Sequence, residues 1–311
     1  MDGNRIVSNA PNRGPLAYLL KLGEFVKFSH TIFALPFALA AMLVAFEKKL
    51  GPAPALEWST LLLILLAMVG ARTAAMAFNR IVDRKYDAAN PRTATRHLPQ
   101  RQLSLFSAWL LVLFGTAALV AAAWFLNPLC FWLSPAAIFI VLFYSFTKRF
   151  TDYSHFYLGV ALGISPIGAW IAVTGSLHIA PILLGAAVTL WVAGFDMIYA
   201  IQDEEFDREH GLHSMAVRFG PYGALTLARI LHGFTVALLL IFGLVASRRG
   251  PYWTGLAVIV IMLSIEHIIA GWRSLKWVNV AFFRMNALVS SVLFIAIAAD
   301  VYLPKRLFTW F

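Results

Sequence analysis

Two short acidic runs hold the side chains best suited to chemistry. Each repeats an oxygen-bearing side chain at every fourth position: Asn79, Asp83 and Asp87 in the first run, and Tyr199, Asp203 and Asp207 in the second. Asp196 lies about one helical turn before Tyr199. Four-residue spacing places side chains on one face of a helix, where like charges repel. Mg²⁺ removes that repulsion and binds carboxylate oxygens together with water and phosphate oxygens, so the two runs predict a clamp for a diphosphate.

The simpler alternative is that both runs are solvated, charged helix ends, as most acidic runs at helix termini are. The two runs, however, stand in the same relation to a preceding apolar segment, and both have cations beside them. We therefore favour metal–diphosphate binding.

Three cations lie where a diphosphate would need them. Arg72 precedes Asn79 by seven residues, which places it about two turns deeper on the same helix face. An arginine inside a membrane normally faces a polar cavity and has a partner, and an ion pair with Asp196 is the alternative. Lys148 and Arg149 end an apolar segment at the same level, where they would also serve as topological anchors.

The rest of the chain is suited to lipid. Of its 311 residues, 60% are hydrophobic and 13% are charged, which excludes a soluble domain, a disordered segment and a nucleic-acid-binding arm. The net charge of +10 does not indicate a nucleic-acid partner, because the Lys and Arg residues lie between apolar runs. The single cysteine, Cys130, allows no internal disulfide.

Apolar stretches of about 20 residues cross a bilayer as helices, and we count nine of them. They lie at roughly 30–47, 59–78, 106–126, 129–147, 156–175, 180–201, 224–247, 252–271 and 284–303. The predicted fold is therefore all-α, a polytopic membrane domain over residues 29–311. A cytoplasmic or interfacial segment at 1–28 precedes it, and its alternating apolar and charged residues are typical of a helix lying in the interface. An early start of the first span is the alternative.

The positions of Lys and Arg predict the orientation. With the N-terminus in the cytoplasm, 19 of the 25 lie on the inside, where an excess is expected. The first 28 residues show neither a cleavable signal pattern nor an Arg- and Ser-rich transit segment, which favours the bacterial inner membrane.

Four separated blocks resemble the UbiA superfamily of intramembrane aromatic prenyltransferases. The blocks cover Arg72 to Pro99, Tyr144 to Thr151, Asp196 to Asp207 and Gly211 to Ser214. The paired acidic motifs are the specific part of the resemblance. The closest likeness is to the 4-hydroxybenzoate polyprenyltransferase branch. The run from Phe28 to Pro36 resembles a subgroup assigned to the naphthoate step of the futalosine route to menaquinone.

The resemblance implies nine helices around a central cavity, with a cytoplasmic polar cap and a side opening to lipid. It also implies the Mg²⁺-dependent transfer of a polyprenyl group from polyprenyl diphosphate to a ring carbon of an aromatic acid, in quinone biosynthesis. The acceptor is of the 4-hydroxybenzoate type, or alternatively a naphthoate in menaquinone biosynthesis. The prenyl tail needs an apolar tunnel, which 25 Phe and 10 Trp could line. Aromatic rings also fill ordinary helix contacts and interface belts, so the sequence singles out none of them.

The resemblance further implies roles for individual residues. The two Mg²⁺–diphosphate sites are expected at Asn79, Asp83 and Asp87, and at Asp203 and Asp207. The diphosphate or the carboxylate of the acceptor is expected to contact Arg72, Lys148 and Arg149. Asp196 is the candidate for orienting the phenol or taking its proton, unless it only pairs with Arg72. Tyr199 either supports a metal ligand or lines the acceptor pocket.

One position departs from the family pattern. The family usually has Asp directly after the Asn of the first motif, and this chain has Arg80 there. A potential metal ligand is thus replaced by a cation. The first site is expected to hold Mg²⁺ with fewer protein oxygens, while Arg80 contacts the diphosphate or the carboxylate of the acceptor.

Two other functions remain as alternatives. A transporter also carries intramembrane charge, but its ionisable groups would lie near the bilayer midplane rather than at one face. A prenyltransferase with another acceptor, such as haem or chlorophyllide, would share the same donor site. The histidines on the cytoplasmic side lack zinc-site spacing, although His155 and His213 are candidates for ligand contact.

Overall fold

The computed structural model describes residues 15–26, 34–271 and 275–304, and the side chains of all these except 15–17, 19 and 275–284. The α-helices are α1 Pro15–Phe25, α2 Leu35–Leu50, α3 Trp58–Ala89, α4 Leu105–Leu126, α5 Pro128–Thr147, α6 Ser154–Thr174, α7 Ile179–Ala200, α8 Glu204–Glu209, α9 Met215–Val245, α10 Gly250–Gly271 and α11 Leu275–Tyr302. The described ranges contain no strand, which confirms the prediction of an all-α fold.

Eight of the described helices are long and apolar enough to cross a membrane, so the chain is a multi-pass membrane protein. The first predicted span, at 30–47, corresponds to α2, which has 16 residues. Part of that span, residues 30–33, lies outside the described residues. The count of nine spans therefore stays a prediction.

Glycines allow the helices around the predicted site to approach closely. A Cβ atom on Gly70 of α3 would lie 2.6 Å from the carbonyl oxygen of Gly115 in α4. A Cβ atom on Gly163 of α6 would lie 2.5 Å from the carbonyl oxygen of Gly185 in α7. Both distances are shorter than a carbon can tolerate, so only glycine permits these crossings. Small residues at such crossings are typical of helix packing in lipid, where dispersion contacts drive association.

The bundle has a tightly packed half and a hollow half. In the packed half, α2 is buried along nearly its whole length and packs against α6 and α11. Its core continues through large buried side chains of α7, α9 and α10, including Trp191, Phe242 and Tyr252. In the other half, α3, α4, α5 and α6 pack in chain order and enclose an apolar cavity.

The two acidic runs end their helices differently. Helix α3 has 32 residues, which is about 48 Å at 1.5 Å per residue, so it carries Asn79 to Asp87 beyond the roughly 30 Å hydrocarbon layer. The second run is not one continuous α-helix: α7 ends at Ala200, a 3₁₀ turn follows at Ile201–Asp203, and α8 then begins. The first run therefore lies on one continuous helix, whereas a 3₁₀ turn interrupts the second, whose Tyr199, Asp203 and Asp207 still line one cavity.

The N-terminal helix α1 packs at the acidic-run end of the bundle. The buried ring of Phe25 lies in a cluster with Leu103 and Ala108, which flank the start of α4. The Tyr18 hydroxyl donates to Ser107 Oγ over 2.8 Å. Helix formation within the segment 1–28 agrees with its amphipathic pattern, whereas its position relative to a membrane stays a prediction.

An ion network joins three segments at the opposite end of the bundle. The Arg248 guanidinium, between α9 and α10, lies 2.5 Å from Glu47 Oε2 of α2 and 3.0 Å from Asp300 Oδ2 of α11. Asp300 is fully buried and also accepts a hydrogen bond from the Arg249 backbone N–H over 2.7 Å. This network fixes the far end of the packed half.

Candidate active site

The two acidic runs face one polar cavity of about 240 Å³. Ten of the eleven side chains that the sequence singled out line it: Asn79, Arg80, Asp83, Asp87, Lys148, Arg149, Asp196, Tyr199, Asp203 and Asp207. Asp87 and Asp207, which come from opposite halves of the bundle, therefore share one hollow.

The eleventh residue, Arg72, lines a second cavity of about 240 Å³. Tyr144 and Leu158 line both cavities, so the two adjoin. The Arg72 Nε atom is buried and has no hydrogen-bond partner in the described part of the chain. Arg72 thus lies at the junction, with donor capacity available to a ligand.

The second cavity is apolar, but aromatic rings do not build it. Its described lining is mostly alanine, leucine, isoleucine and methionine, with Tyr144 as the sole aromatic residue. Many Phe and Trp side chains instead lie exposed on the outer surface, such as Phe106, Phe125 and Trp132. Of the two possibilities that the sequence left for its Phe and Trp residues, the described lining of this cavity favours positions outside the tunnel, because smaller side chains leave the space.

Arginines neutralise the carboxylates of the first acidic run, and an amide donates a hydrogen bond to one of them. Arg96 Nη1 donates to Asp87 Oδ1 over 2.5 Å, and Arg80 Nη1 lies 3.9 Å from Asp87 Oδ2. Asp83 Oδ2 accepts a hydrogen bond from Asn79 Nδ2 over 2.8 Å. The Arg149 guanidinium lies 3.5 Å from Asp83 Oδ1. Arg80 and Arg149, which the sequence assigned to the diphosphate or the carboxylate of the acceptor, therefore lie beside Asp87 and Asp83.

The second acidic run is bound by cations from distant parts of the chain. The Arg92 guanidinium forms a two-point contact with Asp203, with Nε donating to Oδ1 over 2.8 Å and Nη2 contacting Oδ2. Arg92 Nη1 also donates to the Tyr199 hydroxyl over 2.7 Å. Lys148 Nζ donates to Asp207 Oδ2 over 2.9 Å. Tyr199 and Asp203 therefore share one arginine, and both line the polar cavity.

Both of these cations stay charged at physiological pH. Burial alone would lower the pKa of the Lys148 ammonium, but the carboxylates around it, Asp207 first and then Asp203 and Asp196, together outweigh burial and raise it. Burial also acts to lower the pKa of the Arg92 guanidinium, and its hydrogen bonds to Asp203 raise it above the ordinary value. The cavity therefore keeps fixed positive charge beside its carboxylates.

Asp196 is held by a histidine rather than by Arg72. His155 Nδ1 lies 2.6 Å from Asp196 Oδ2, and the imidazole is fully buried. In the described part of the chain Arg72 forms no ion pair with Asp196. The alternative of an Arg72–Asp196 pair is therefore wrong.

The oxygen donors suit magnesium that arrives with a substrate. Among the described residues, no three His, Cys, Asp or Glu side chains are grouped so that they could hold a metal alone. Asp87 Oδ2 is nevertheless buried without a hydrogen bond from any residue that the structure describes, and the cavity offers several further carboxylate oxygens. Because Mg²⁺ commonly takes one or two carboxylates and completes its shell with water and phosphate, this donor set fits it.

Sequence reasoning gave no role to three residues of this site: Asn90, Arg92 and Arg96. It named His155 only as a candidate for ligand contact, and the structure places this side chain against Asp196. Arg92 and Arg96 lie in a block that carried the family resemblance, and their closeness to Asp87 was a usable signal. Asn90 and His155 contact residues 113 and 41 positions away, so no local spacing indicates them.

The fold and the two cavities define a class of membrane protein, in which a cationic–acidic cavity adjoins an apolar cavity within a helical bundle. The UbiA prenyltransferase family profile matches residues 34–288. The chain belongs to the UbiA prenyltransferase family, which confirms the resemblance found in the sequence.

Two curated relatives illustrate the match. The chain is 33% identical to a 4-hydroxybenzoate octaprenyltransferase of Neisseria gonorrhoeae over 234 residues, which covers 75% of this chain and 78% of the relative. It is 31% identical to a 4-hydroxybenzoate solanesyltransferase of Synechocystis over 267 residues, 85% of this chain and 88% of the relative. Both relatives are named for 4-hydroxybenzoate, and neither favours the naphthoate alternative.

Solved structures share the fold. The apo structure of a UbiA homologue from Aeropyrum pernix K1 aligns with a TM-score of 0.78 at 35% identity, over 88% of this chain and 98% of that chain. A UbiA homologue from Archaeoglobus fulgidus, bound to DMAPP and Mg²⁺, aligns with a TM-score of 0.67 at 22% identity, over 89% of this chain and 99% of that chain. The family assignment favours an enzyme over a transporter.

Proposed function

We propose that this protein transfers a polyprenyl group from polyprenyl diphosphate to a ring carbon of 4-hydroxybenzoate or a similar aromatic acid, with Mg²⁺. The observation that carries the proposal is the junction of the two cavities. One cavity is polar and contains both acidic runs, the other is apolar, and they share Tyr144 and Leu158. An amphiphile with a charged head and a hydrocarbon tail matches this pair.

The donor binds across both cavities. Its diphosphate occupies the polar cavity, where Arg80, Lys148 and Arg149 contact its oxygens together with Arg92 and Arg96. Its tail occupies the apolar cavity, whose lining on α6 runs from Leu158 to Ala172, about 21 Å at 1.5 Å per residue. This length covers about two thirds of the roughly 30 Å hydrocarbon layer, which suits a long polyprenyl chain.

The acidic runs hold the metal. Asn79, Asp83 and Asp87 would serve one Mg²⁺, and Asp203 and Asp207 a second. Magnesium, when bound, neutralises the charge that develops on the diphosphate oxygens as they leave. Arg96 and Arg92 contact Asp87 and Asp203 in the structure, and they move to phosphate oxygens when the donor binds.

The reaction exchanges one bond for another. The allylic C–O bond breaks, and its electron pair leaves with the diphosphate. An electron pair of the acceptor ring forms the new C–C bond to the allylic carbon, and fixed cations around the diphosphate favour this separation of charge. Loss of the proton from the substituted ring carbon to solvent restores the aromatic ring. The apolar walls around the allylic carbon keep water away from it.

Asp196 and Arg72 act on the acceptor. Asp196 lines the polar cavity, where its carboxylate takes the proton of the phenol hydroxyl as the ring attacks. It returns that proton to oxygen when the ring carbon loses its own. Arg72 lies at the junction of the cavities, and its Nε has no partner among the described residues; it contacts the carboxylate of the acceptor or the diphosphate. The enzyme lies in the inner membrane with its N-terminus and polar cavity on the cytoplasmic side.

The acceptor is tested with purified protein in lipid vesicles, labelled octaprenyl diphosphate, Mg²⁺ and a panel of acceptors. The panel contains 4-hydroxybenzoate, a hydroxynaphthoate, haem and chlorophyllide. We expect octaprenylated 4-hydroxybenzoate and an equal amount of diphosphate. Transfer to the naphthoate alone would replace the proposed acceptor, and absence of transfer to every acceptor would contradict the proposed function.

A further inference from the structure

His155 connects three elements around the proposed base. It lies in the first turn of α6, and its Nδ1 atom is 2.6 Å from Asp196 Oδ2 on α7. Its Nε2 atom is 3.4 Å from the backbone N–H of Met215, the first residue of α9. The imidazole is fully buried and does not line the polar cavity. His155 therefore acts on a ligand only indirectly, and Asp196 is the contact of His155 that lines the cavity.

The contacts of the ring define its protonation. The N–H groups in the first turn of a helix have no partner within the helix, so the Met215 N–H is available as a donor. An N–H of Met215 that points at Nε2 requires a lone pair there, which places the imidazole proton on Nδ1. Nδ1–H then donates to Asp196 Oδ2, as in other sites where a histidine is fixed by a hydrogen bond at its second nitrogen.

We propose that His155 is the positioning residue of the transfer step. Its Nδ1–H holds one oxygen of Asp196, so that the other oxygen faces the acceptor hydroxyl in the cavity. In the described part of the chain that other oxygen has no hydrogen bond. This inference rests on the proposed function, because the proton that Asp196 takes and returns is the proton of the acceptor hydroxyl.

A packing role would produce a different result from a positioning role. Replacing His155 by Leu removes the hydrogen bond and keeps an apolar side chain of similar bulk. His155→Asn places an amide N–H close to the position of Nδ1, and so retains a donor to Asp196. The matched control is His178→Leu, because His178 caps the opposite end of α7 and lies far from the polar cavity.

The test measures kcat and KM for prenyl transfer in the monodisperse variants. We expect His155→Leu to lower kcat roughly 10- to 100-fold, the usual effect of removing a hydrogen bond that orients a functional side chain, with the donor KM unchanged. His155→Asn should recover most of this loss, and His178→Leu should retain the wild-type kcat. Adding His155→Leu to Asp196→Asn should cause no further loss, because both changes remove the same interaction.

Three results would overturn the inference while leaving the proposed function intact. These are an active His155→Leu variant with wild-type kcat, a His155→Asn variant as slow as His155→Leu, and a double variant in which the two losses multiply. A wild-type protein that transfers no prenyl group would overturn the proposed function, and this inference with it.

Discussion

At the level of single residues, cations hold the carboxylates of the polar cavity in place. The same cations would be needed to bind the diphosphate of the donor. Asp87 contacts Arg96, Asp203 contacts Arg92, and Asp207 contacts Lys148. Fixed ion pairs of this kind keep like-charged carboxylates close together in the absence of a ligand. The same cations line the polar cavity, where they are within reach of a diphosphate.

Arg92 gives the first prediction. Arg92→Ala removes a two-point contact to Asp203 and a cation from the cavity. A hydrogen bond to a charged group contributes about 1.5–3 kcal/mol, so the donor KM should rise roughly 10- to 100-fold. The donor KM of Arg92→Lys should lie between the values of the wild type and of Arg92→Ala, because lysine keeps the positive charge but lacks the planar guanidinium that forms two parallel hydrogen bonds.

The control for this prediction is Arg101→Ala, an exposed arginine of the same connection that does not line the cavity. The measurement is the dependence of initial rate on donor concentration. If the donor KM of Arg92→Ala were as low as that of Arg101→Ala, Arg92 would have no part in donor binding.

At the level of elements, α6 joins the two cavities. It supplies Leu158 at their junction and continues along the apolar cavity to Ala172. Gly168 lies in this stretch, and a Cβ atom added there would meet no atom within 4 Å. The space beside Gly168 is therefore cavity that a prenyl tail can fill.

A bulky residue at position 168 should shorten the tail that the enzyme accepts. We expect Gly168→Phe to lower kcat/KM for octaprenyl diphosphate by at least about tenfold, while geranyl diphosphate retains most of its value. The reason is that a phenyl ring occupies volume that only the longer tail needs. Competition between the two donors, with the products separated by chain length, measures the ratio.

Gly233→Phe is the matched control, since Gly233 is exposed on α9 and its Cβ atom would also meet nothing. It should leave the ratio of the two donors unchanged. An equal loss for both donors in Gly168→Phe would mean that the tail does not pass this position.

The elements were predictable from sequence to different degrees. Hydropathy located the spanning helices because lipid offers backbone groups no partners and thus enforces helices. The first acidic run continues α3, as its four-residue spacing suggests. The second run is interrupted at Ile201–Asp203, where Asp203 turns towards Asn90 and Arg92. These partners are more than 100 residues away, and local spacing gives no sign of them. Local spacing likewise gives no sign of the contact between His155 and Asp196, which are 41 residues apart.

At the level of the whole molecule, the two ends of the bundle serve different purposes. The end with the acidic runs contains the polar cavity and the N-terminal helix α1. The opposite end is fastened by Arg248, which contacts Glu47 and Asp300. Because Asp300 is fully buried, removing Arg248 leaves its carboxylate with only the longer contact to the Arg249 guanidinium, at 3.7 Å, and a backbone N–H.

This division predicts a loss of stability without a loss of substrate binding. Arg248→Met should destabilise the protein by about 3–5 kcal/mol, the usual cost of breaking a buried ion pair, and lower its thermal midpoint in detergent. The donor KM should stay unchanged, because the network lies at the other end of the bundle. Lys48→Met, at an exposed lysine of α2, should leave the midpoint nearly unchanged.

An unchanged thermal midpoint in Arg248→Met would mean that the network does not hold the bundle together. A raised donor KM at an unchanged midpoint would instead mean that the two ends are coupled. Circular dichroism melts and initial-rate measurements on the same preparations separate these outcomes.

The most direct test of the account is Mg²⁺-dependent release of diphosphate from polyprenyl diphosphate, in the presence of acceptor, by three variants. Asp83→Ala and Asp203→Ala each remove a carboxylate from one side of the shared cavity, and Glu205→Ala removes an exposed carboxylate from the same acidic run as Asp203. We predict that release is abolished in the first two variants and persists in Glu205→Ala. Release at the wild-type rate in both Asp83→Ala and Asp203→Ala would contradict a site formed by the two acidic runs together.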